Sequence, residues 1–173
     1  MEYPVMTIEE LSKGLWEEQQ KRAIEELMAD YWWYMDSRQW DKWAGVFTED
    51  LEVWFDDMLT IEGRDEFVTL NSTVWLGSLY SAHQGHQMKI VLTSPTTAHA
   101  RVMLNDTLTN KDTLAILSGF GYYFDDYRLC DDGKWRISVL RLGYLVKGKF
   151  NIGSEEETEL HEEVEMEESL PLL

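Results

Sequence analysis

The hydrophobic period changes along this chain, and that change limits what it can fold into. Before about residue 80 most apolar residues recur at helical spacing; from residue 83 onward they alternate. Leu11, Leu15, Ile24, Leu27, Met28, Tyr31 and Met35 fit a long amphipathic helix, with Gly14 as a point of interruption. Thr7-Ile8-Glu9-Glu10 has the form of a capping box that starts it. Trp40, Trp43 and Phe47 predict a second helix, and Asp36-Ser37-Arg38-Gln39 has the pattern of its capping box. Leu51, Val53 and Phe55 alternate as a strand, and Gly63 precedes a helical stretch carrying Phe67, Leu70 and Val74.

In the second half, Met88, Ile90 and Leu92 line one side of a strand, and Ser94-Pro95-Thr96 is a turn signal. Ala98, Ala100, Val102 and Leu104 share the face of the next strand. A strand rich in Tyr and Phe follows at about 113–129; Asp131-Asp132-Gly133 turns it into a last strand opened by Trp135, Ile137 and Val139. Gly119 and Gly121 sit inside a strand pattern and read as a bend or bulge, not a phosphate loop. Helices first and antiparallel hairpins afterwards predict an α+β fold, with helices on one face of a curved sheet.

A length of 173 residues suits one domain with a real core. The net charge of −18 is unevenly spread: residues 151–173 hold nine glutamates and no Lys or Arg, which leaves residues 1–150 at −9. We therefore expect a single domain over 1–150 and an acidic, poorly ordered tail over 151–173. An acidic chain lacks the basic face that nucleic acid requires, and anionic membrane surfaces are disfavoured for the same reason. No apolar run approaches the ~20 residues of a membrane span. The N-terminus has no apolar signal region, so the expected location is cytoplasmic. Cys130 is the only cysteine, which excludes an internal disulfide and a CxxC metal site.

Four side chains are candidates for chemistry. Asp106 shares strand parity with Ala98 to Leu104, so its carboxylate points where the apolar residues point and needs a partner there; the other reading is a strand-end Asp outside the core. His83 and His86 are three apart in a strand and face opposite ways, which argues against a shared metal. The one that faces inward is either a satisfied core histidine or, with an Asp partner, a general base. Asp36 is either the cap of the second helix or the carboxylate that fixes a histidine tautomer. Tyr31 lies on the apolar side of its helix, as a core tyrosine or as a donor to a substrate oxygen.

Together these residues resemble a known pattern. Residues about 20–147 resemble the SnoaL-like branch of the nuclear-transport-factor-two-like superfamily. The resemblance rests on Tyr31-Trp32-Trp33-Tyr34-Met35-Asp36-Ser37-Arg38-Gln39-Trp40-Asp41, Phe47-Thr48-Glu49-Asp50, His83, Thr96-Thr97-Ala98 and Asp131-Asp132-Gly133-Lys134-Trp135-Arg136-Ile137. Within that branch the chain is most similar to the bile acid 7α-dehydratases, through Tyr31 and Asp36, His83-Gln84-Gly85-His86, and Asp106. It is also similar to scytalone dehydratase and the hexachlorocyclohexane dehydrochlorinases through Asp36 and His83.

The resemblance implies a cone-shaped α+β barrel, its N-terminal helices packed on a strongly curved, mostly antiparallel sheet. It implies a cofactor-independent lyase without a metal, acting on a hydrophobic, ring-containing carbonyl compound such as a steroid or polyketide. In that reading His83 is the base, Asp36 orients it, Tyr31 binds the enolate oxygen and Asp106 assists the leaving group. Trp40, Trp54, Phe55, Tyr122, Arg141 and Tyr144 are the implied substrate-binding residues. Arg141 and Tyr144 align about equally well with a late arginine of the bile acid family, and Met35 and Phe55 stand where scytalone dehydratase has tyrosines. The implied assembly is a homo-oligomer, a dimer or trimer. Other readings are a cyclase or isomerase using the same dyad, the non-catalytic small subunit of a ring-hydroxylating dioxygenase, and a ligand-binding protein.

Overall fold

The computed structural model describes residues 5–55 and 58–151. The acidic tail therefore lies, but for Asn151, outside the described residues. Helix α1 spans Ile8–Asp36 and starts at the capping box: the Glu10 N–H donates to the Thr7 hydroxyl, and the Thr7 N–H donates back to the Glu10 carboxylate. Gly14 does not interrupt the helix, contrary to expectation. Instead it ends at Asp36, and the chain turns away two residues later at Arg38, a residue in the left-handed region with φ of 62°. Arg38 N–H donates to Met35 O at 3.2 Å and Gln39 N–H to Tyr34 O at 2.8 Å, which satisfies the last carbonyls of the helix.

This termination corrects the capping expectation for Asp36. Asp36 is the last residue of α1, and α2 (Trp40–Ala44) begins after Gln39 with no side-chain cap. Helix α2 is also shorter than the spacing predicted. The chain turns at Gly45, and Phe47 opens strand β1 (Phe47–Phe55) instead of ending a helix.

Strand β2 (Met58–Glu62) pairs with β1, and α3 (Arg64–Leu70) passes into a π-helical turn over Asn71–Trp75. That turn rotates Val74 into solvent, so of the expected trio only Phe67 is fully buried. Four long strands follow: β3 (Leu79–Ser94), β4 (Thr97–Asn110), β5 (Ala115–Leu129) and β6 (Trp135–Asn151). They form one curved six-stranded sheet in the order β2-β1-β6-β5-β4-β3, antiparallel except where β1 runs parallel to β6. A register shift between Phe120 and Gly121 bears out the bulge read from the glycines. A second shift, opposite Asp126 and Tyr127, reverses parity after Ile137. Leu140 and Leu142 are therefore buried, and Val139 is only half-buried.

Helix α1 lays Ile24, Met28, Tyr31 and Met35 into the curve of the sheet, against β4 residues that include Ala98, Ala100, Val102 and Leu104. Trp43, Phe47 and Phe67 close one end, with ring centroids 4.9–5.6 Å apart. Burying side chains of this size stabilises by about 1.5–3 kcal/mol each. Trp135 ties β6 to α1 through its indole N–H, which donates to Gln20 at 3.0 Å. Among the described residues no helix is long and apolar enough to cross a membrane.

Candidate active site

The last turn of α1 sets Asp36 over the start of β3. Asp36 Oδ1 lies 2.7 Å from His83 Nδ1 and accepts from the Ser81 hydroxyl at 2.7 Å; Oδ2 accepts from the His83 backbone N–H at 2.8 Å. Arg38 braces this arrangement. Its guanidinium donates to Ser81 Oγ at 2.8 Å, Leu79 O at 2.7 Å and Met35 O at 2.8 Å. A left-handed backbone costs a non-glycine residue roughly 1–2 kcal/mol, and these three charged hydrogen bonds offset it.

Burial alone would raise the Asp36 carboxyl. The His83 ring, the His83 N–H and the Ser81 hydroxyl outweigh it and hold the group below its ordinary value. Asp36 is thus an ionised acceptor, so the proton between it and His83 belongs to Nδ1. In the neutral ring the lone pair is then on Nε2, which has no hydrogen-bond partner among the described residues.

The imidazole is held between packed neighbours; its side chain is only 8% exposed. Trp32 lies parallel to it at 6.1 Å and meets Tyr123 edge-on at 5.3 Å. Gly85 makes that packing feasible, because a Cβ there would sit 2.8 Å from the Trp32 indole nitrogen. Tyr31 is buried behind Trp32, with its hydroxyl 3.5 Å from that of Tyr123. Burial pushes the Tyr31 phenol well up, so it stays a neutral donor over the physiological range.

Asp106 stands directly opposite His83 in the β3–β4 ladder, so both side chains leave the same face of the sheet. It is 1% exposed, which answers the choice between a core and a strand-end position. Its Oδ2 accepts from the Tyr144 hydroxyl at 2.5 Å, whereas Oδ1 is buried with no partner. Gly119 faces Asp106 from β5. A Cβ there would lie 2.7 Å from the Tyr144 ring and 2.8 Å from Asp106 Oδ1, so the pair requires glycine at this position.

The six residues implied as substrate-binding do not converge. Tyr144 is at Asp106. Trp40 lies near the Asp36 end, with the Arg38 guanidinium 5.6 Å above its ring, and Phe55 packs against Trp75 at 5.7 Å. Trp54, Tyr122 and Arg141 point away. Trp54 donates to Glu52 at 3.2 Å, Tyr122 neighbours Phe124, and Arg141 pairs with Asp126 at 3.1 Å on the outer face. The parity reversal in β6 buries Leu140 and Leu142, which turns Arg141 outward; of the two aligned candidates, Tyr144 reaches the cluster. His86 is exposed.

Sequence reasoning missed Trp32, Tyr123, Ser81, Arg38 and the two glycines. Tyr123 was within reach, since it shares parity with Gly119 and Gly121. Among the described residues no three His, Cys, Asp or Glu side chains gather as a metal site.

A family model described as a SnoaL-like domain matches residues 16–141. Three solved structures share the fold. A Novosphingobium aromaticivorans protein assigned as a scytalone dehydratase has 23% identity and a TM-score of 0.69, covering 79% of this chain and 91% of its own. The hexachlorocyclohexane dehydrochlorinase LinA-type3 of Novosphingobium barchaimii has 18% identity and a TM-score of 0.71, covering 79% and 94%. ActVI-ORFA of Streptomyces coelicolor has 13% identity and a TM-score of 0.61, covering 73% and 97%.

Proposed function

This chain belongs to the SnoaL-like domain family, and we propose that it is a cofactor-independent lyase removing water from a hydrophobic cyclic carbonyl compound. The observation that carries this reading is a pairing across one ladder step. An oriented histidine with a bare Nε2 faces the same way as a buried carboxyl with one unpartnered oxygen. Two of the fold's relatives bear the names of elimination enzymes, a dehydratase and a dehydrochlorinase.

In this reaction His83 Nε2 takes the proton next to the carbonyl. Asp36 stabilises the imidazolium that forms, as the orienting carboxylate of a triad does. Negative charge grows on the carbonyl oxygen, and the Tyr31 hydroxyl, kept neutral by burial, donates to it. The electron pair then expels the β-oxygen. Asp106 assists the leaving group as an acid only in its protonated form, donating from Oδ1 so that the oxygen departs as water; meanwhile Oδ2 accepts from Tyr144. The proton held by His83 passes to solvent and one returns to Asp106, which resets the site. Trp32 and Tyr123 suit the walls of a flat ring binder.

The test is turnover of cyclic β-hydroxy ketones, steroidal and polyketide-like, read by product mass. Loss of one water is expected; an unchanged mass would indicate an isomerase instead. His83→Ala should lower the rate by roughly 10²–10⁴-fold, the usual contribution of a general base. A folded His83→Ala protein with undiminished turnover would contradict the assignment.

A further inference from the structure

Among the described residues the Tyr31 hydroxyl has one hydrogen-bond partner, the Tyr123 hydroxyl at 3.5 Å. Tyr123 stands on the inner face of β5, level with Val102 of β4 and Leu142 of β6, and all three are buried. Its ring meets Trp32 edge-on at 5.3 Å and Tyr31 edge-on at 6.2 Å. Packing on two sides fixes the ring, so the hydroxyl has a set direction. Burial pushes the Tyr123 phenol well above its ordinary value, so it keeps its proton. A phenol carries one proton, so within this pair only one hydroxyl donates to the other.

We propose that Tyr123 is a positioning residue: its hydroxyl donates to the Tyr31 oxygen and so commits the single Tyr31 proton to the enolate oxygen of the substrate. This rests on the lyase reading, in which Tyr31 is the donor to that oxygen. The 3.5 Å separation is longer than the roughly 2.7–2.8 Å of a settled hydroxyl pair, so the contact is weak in the resting site. It tightens during the reaction. As the enolate draws on the Tyr31 proton, charge grows on the Tyr31 oxygen, which then accepts more strongly from Tyr123. An interaction that is stronger in the transition state than in the ground state raises kcat and leaves substrate binding alone. Tyr123 thus acts through Tyr31 and transfers no proton to the substrate itself.

The experiment uses the full-length chain, with cyclic β-hydroxy ketones for turnover and 4-nitrophenol as a probe of the site. Tyr123→Phe keeps the ring and its packing on Trp32 and removes one oxygen. It should lower kcat about 10-fold, the effect of one hydrogen bond, with KM unchanged. In a Tyr31→Phe background the same change should cost nothing further, because its effect passes through Tyr31. 4-Nitrophenol is a flat ring whose oxygen ionises with a visible colour. Bound beside Tyr31 it should ionise at a lower pH than in solution, and Tyr123→Phe should raise that midpoint by up to ~1 pH unit, equivalent to the same tenfold. An unchanged kcat, or an equal loss with and without Tyr31, overturns the proposal. So does nitrophenol that fails to bind or whose midpoint ignores Tyr123→Phe. A midpoint that moves with Tyr123→Phe in a protein that removes no water supports the tyrosine pair and refutes the lyase reading instead.

Discussion

Asp36 and Asp125 are both buried or half-buried carboxyls, and their surroundings push them in opposite directions. Asp36 faces three donors and is held below its ordinary value. Asp125 is 2% exposed; among the described residues it accepts only the Arg141 N–H at 3.2 Å and the Tyr127 hydroxyl at 3.3 Å, and burial pushes it well above 3.8. A group with a raised carboxyl pKa is protonated in the folded chain while the unfolded chain has ionised. Its presence therefore costs nothing below 3.8 and lowers stability progressively as pH rises toward the folded value. Asp125→Asn keeps both contacts, with the amide oxygen accepting and its NH₂ donating to Tyr127. The variant should melt higher than wild type at neutral pH and equal to it in strong acid; equal melting at both would contradict the burial argument. At this scale Asp106 was legible, because strand parity alone placed it inward. Asp36 was not decided by sequence: its release from capping depends on the left-handed Arg38, and arginine carries no signal for that conformation.

Between elements, close approach is governed by small residues on the inner face of β3 and β5. Gly119 lets Tyr144 of β6 reach Asp106 of β4 across the intervening strand. Gly119→Ala should destabilise the fold by about 1–3 kcal/mol, the usual cost of overpacking, read by urea denaturation. Tyr144→Ala in the same chain should recover part of that loss. No loss in Gly119→Ala would mean that the Asp106–Tyr144 contact is looser than described. The existence and order of most elements followed from hydrophobic period, because β4, β5 and β6 bury apolar residues on one face and β3 half-buries Met88, Ile90 and Leu92. What period could not supply were departures from regular geometry. The π-helical turn exposed Val74, and the shift after Ile137 moved burial from Val139 to Leu140 and turned Arg141 outward. Both depend on one extra residue in a repeat, which a count of apolar positions does not register.

For the whole molecule, the curved sheet brings together residues from four elements: Tyr31 and Asp36 from α1, His83 from β3, Asp106 from β4 and Tyr144 from β6. The −18 charge bears on the partners that the chain repels; the aromatic content bears on the site, through Trp32 and Tyr123 around His83. The central claim is a division of labour, with His83 removing a proton and Asp106 releasing the oxygen. Its most direct test is proton exchange beside the carbonyl of a cyclic β-hydroxy ketone in heavy water, measured together with water loss. Asp106→Asn should retain deuterium exchange and lose elimination, whereas His83→Ala should lose both. Elimination that persists without His83, or exchange that depends on Asp106 and not on His83, would contradict the account.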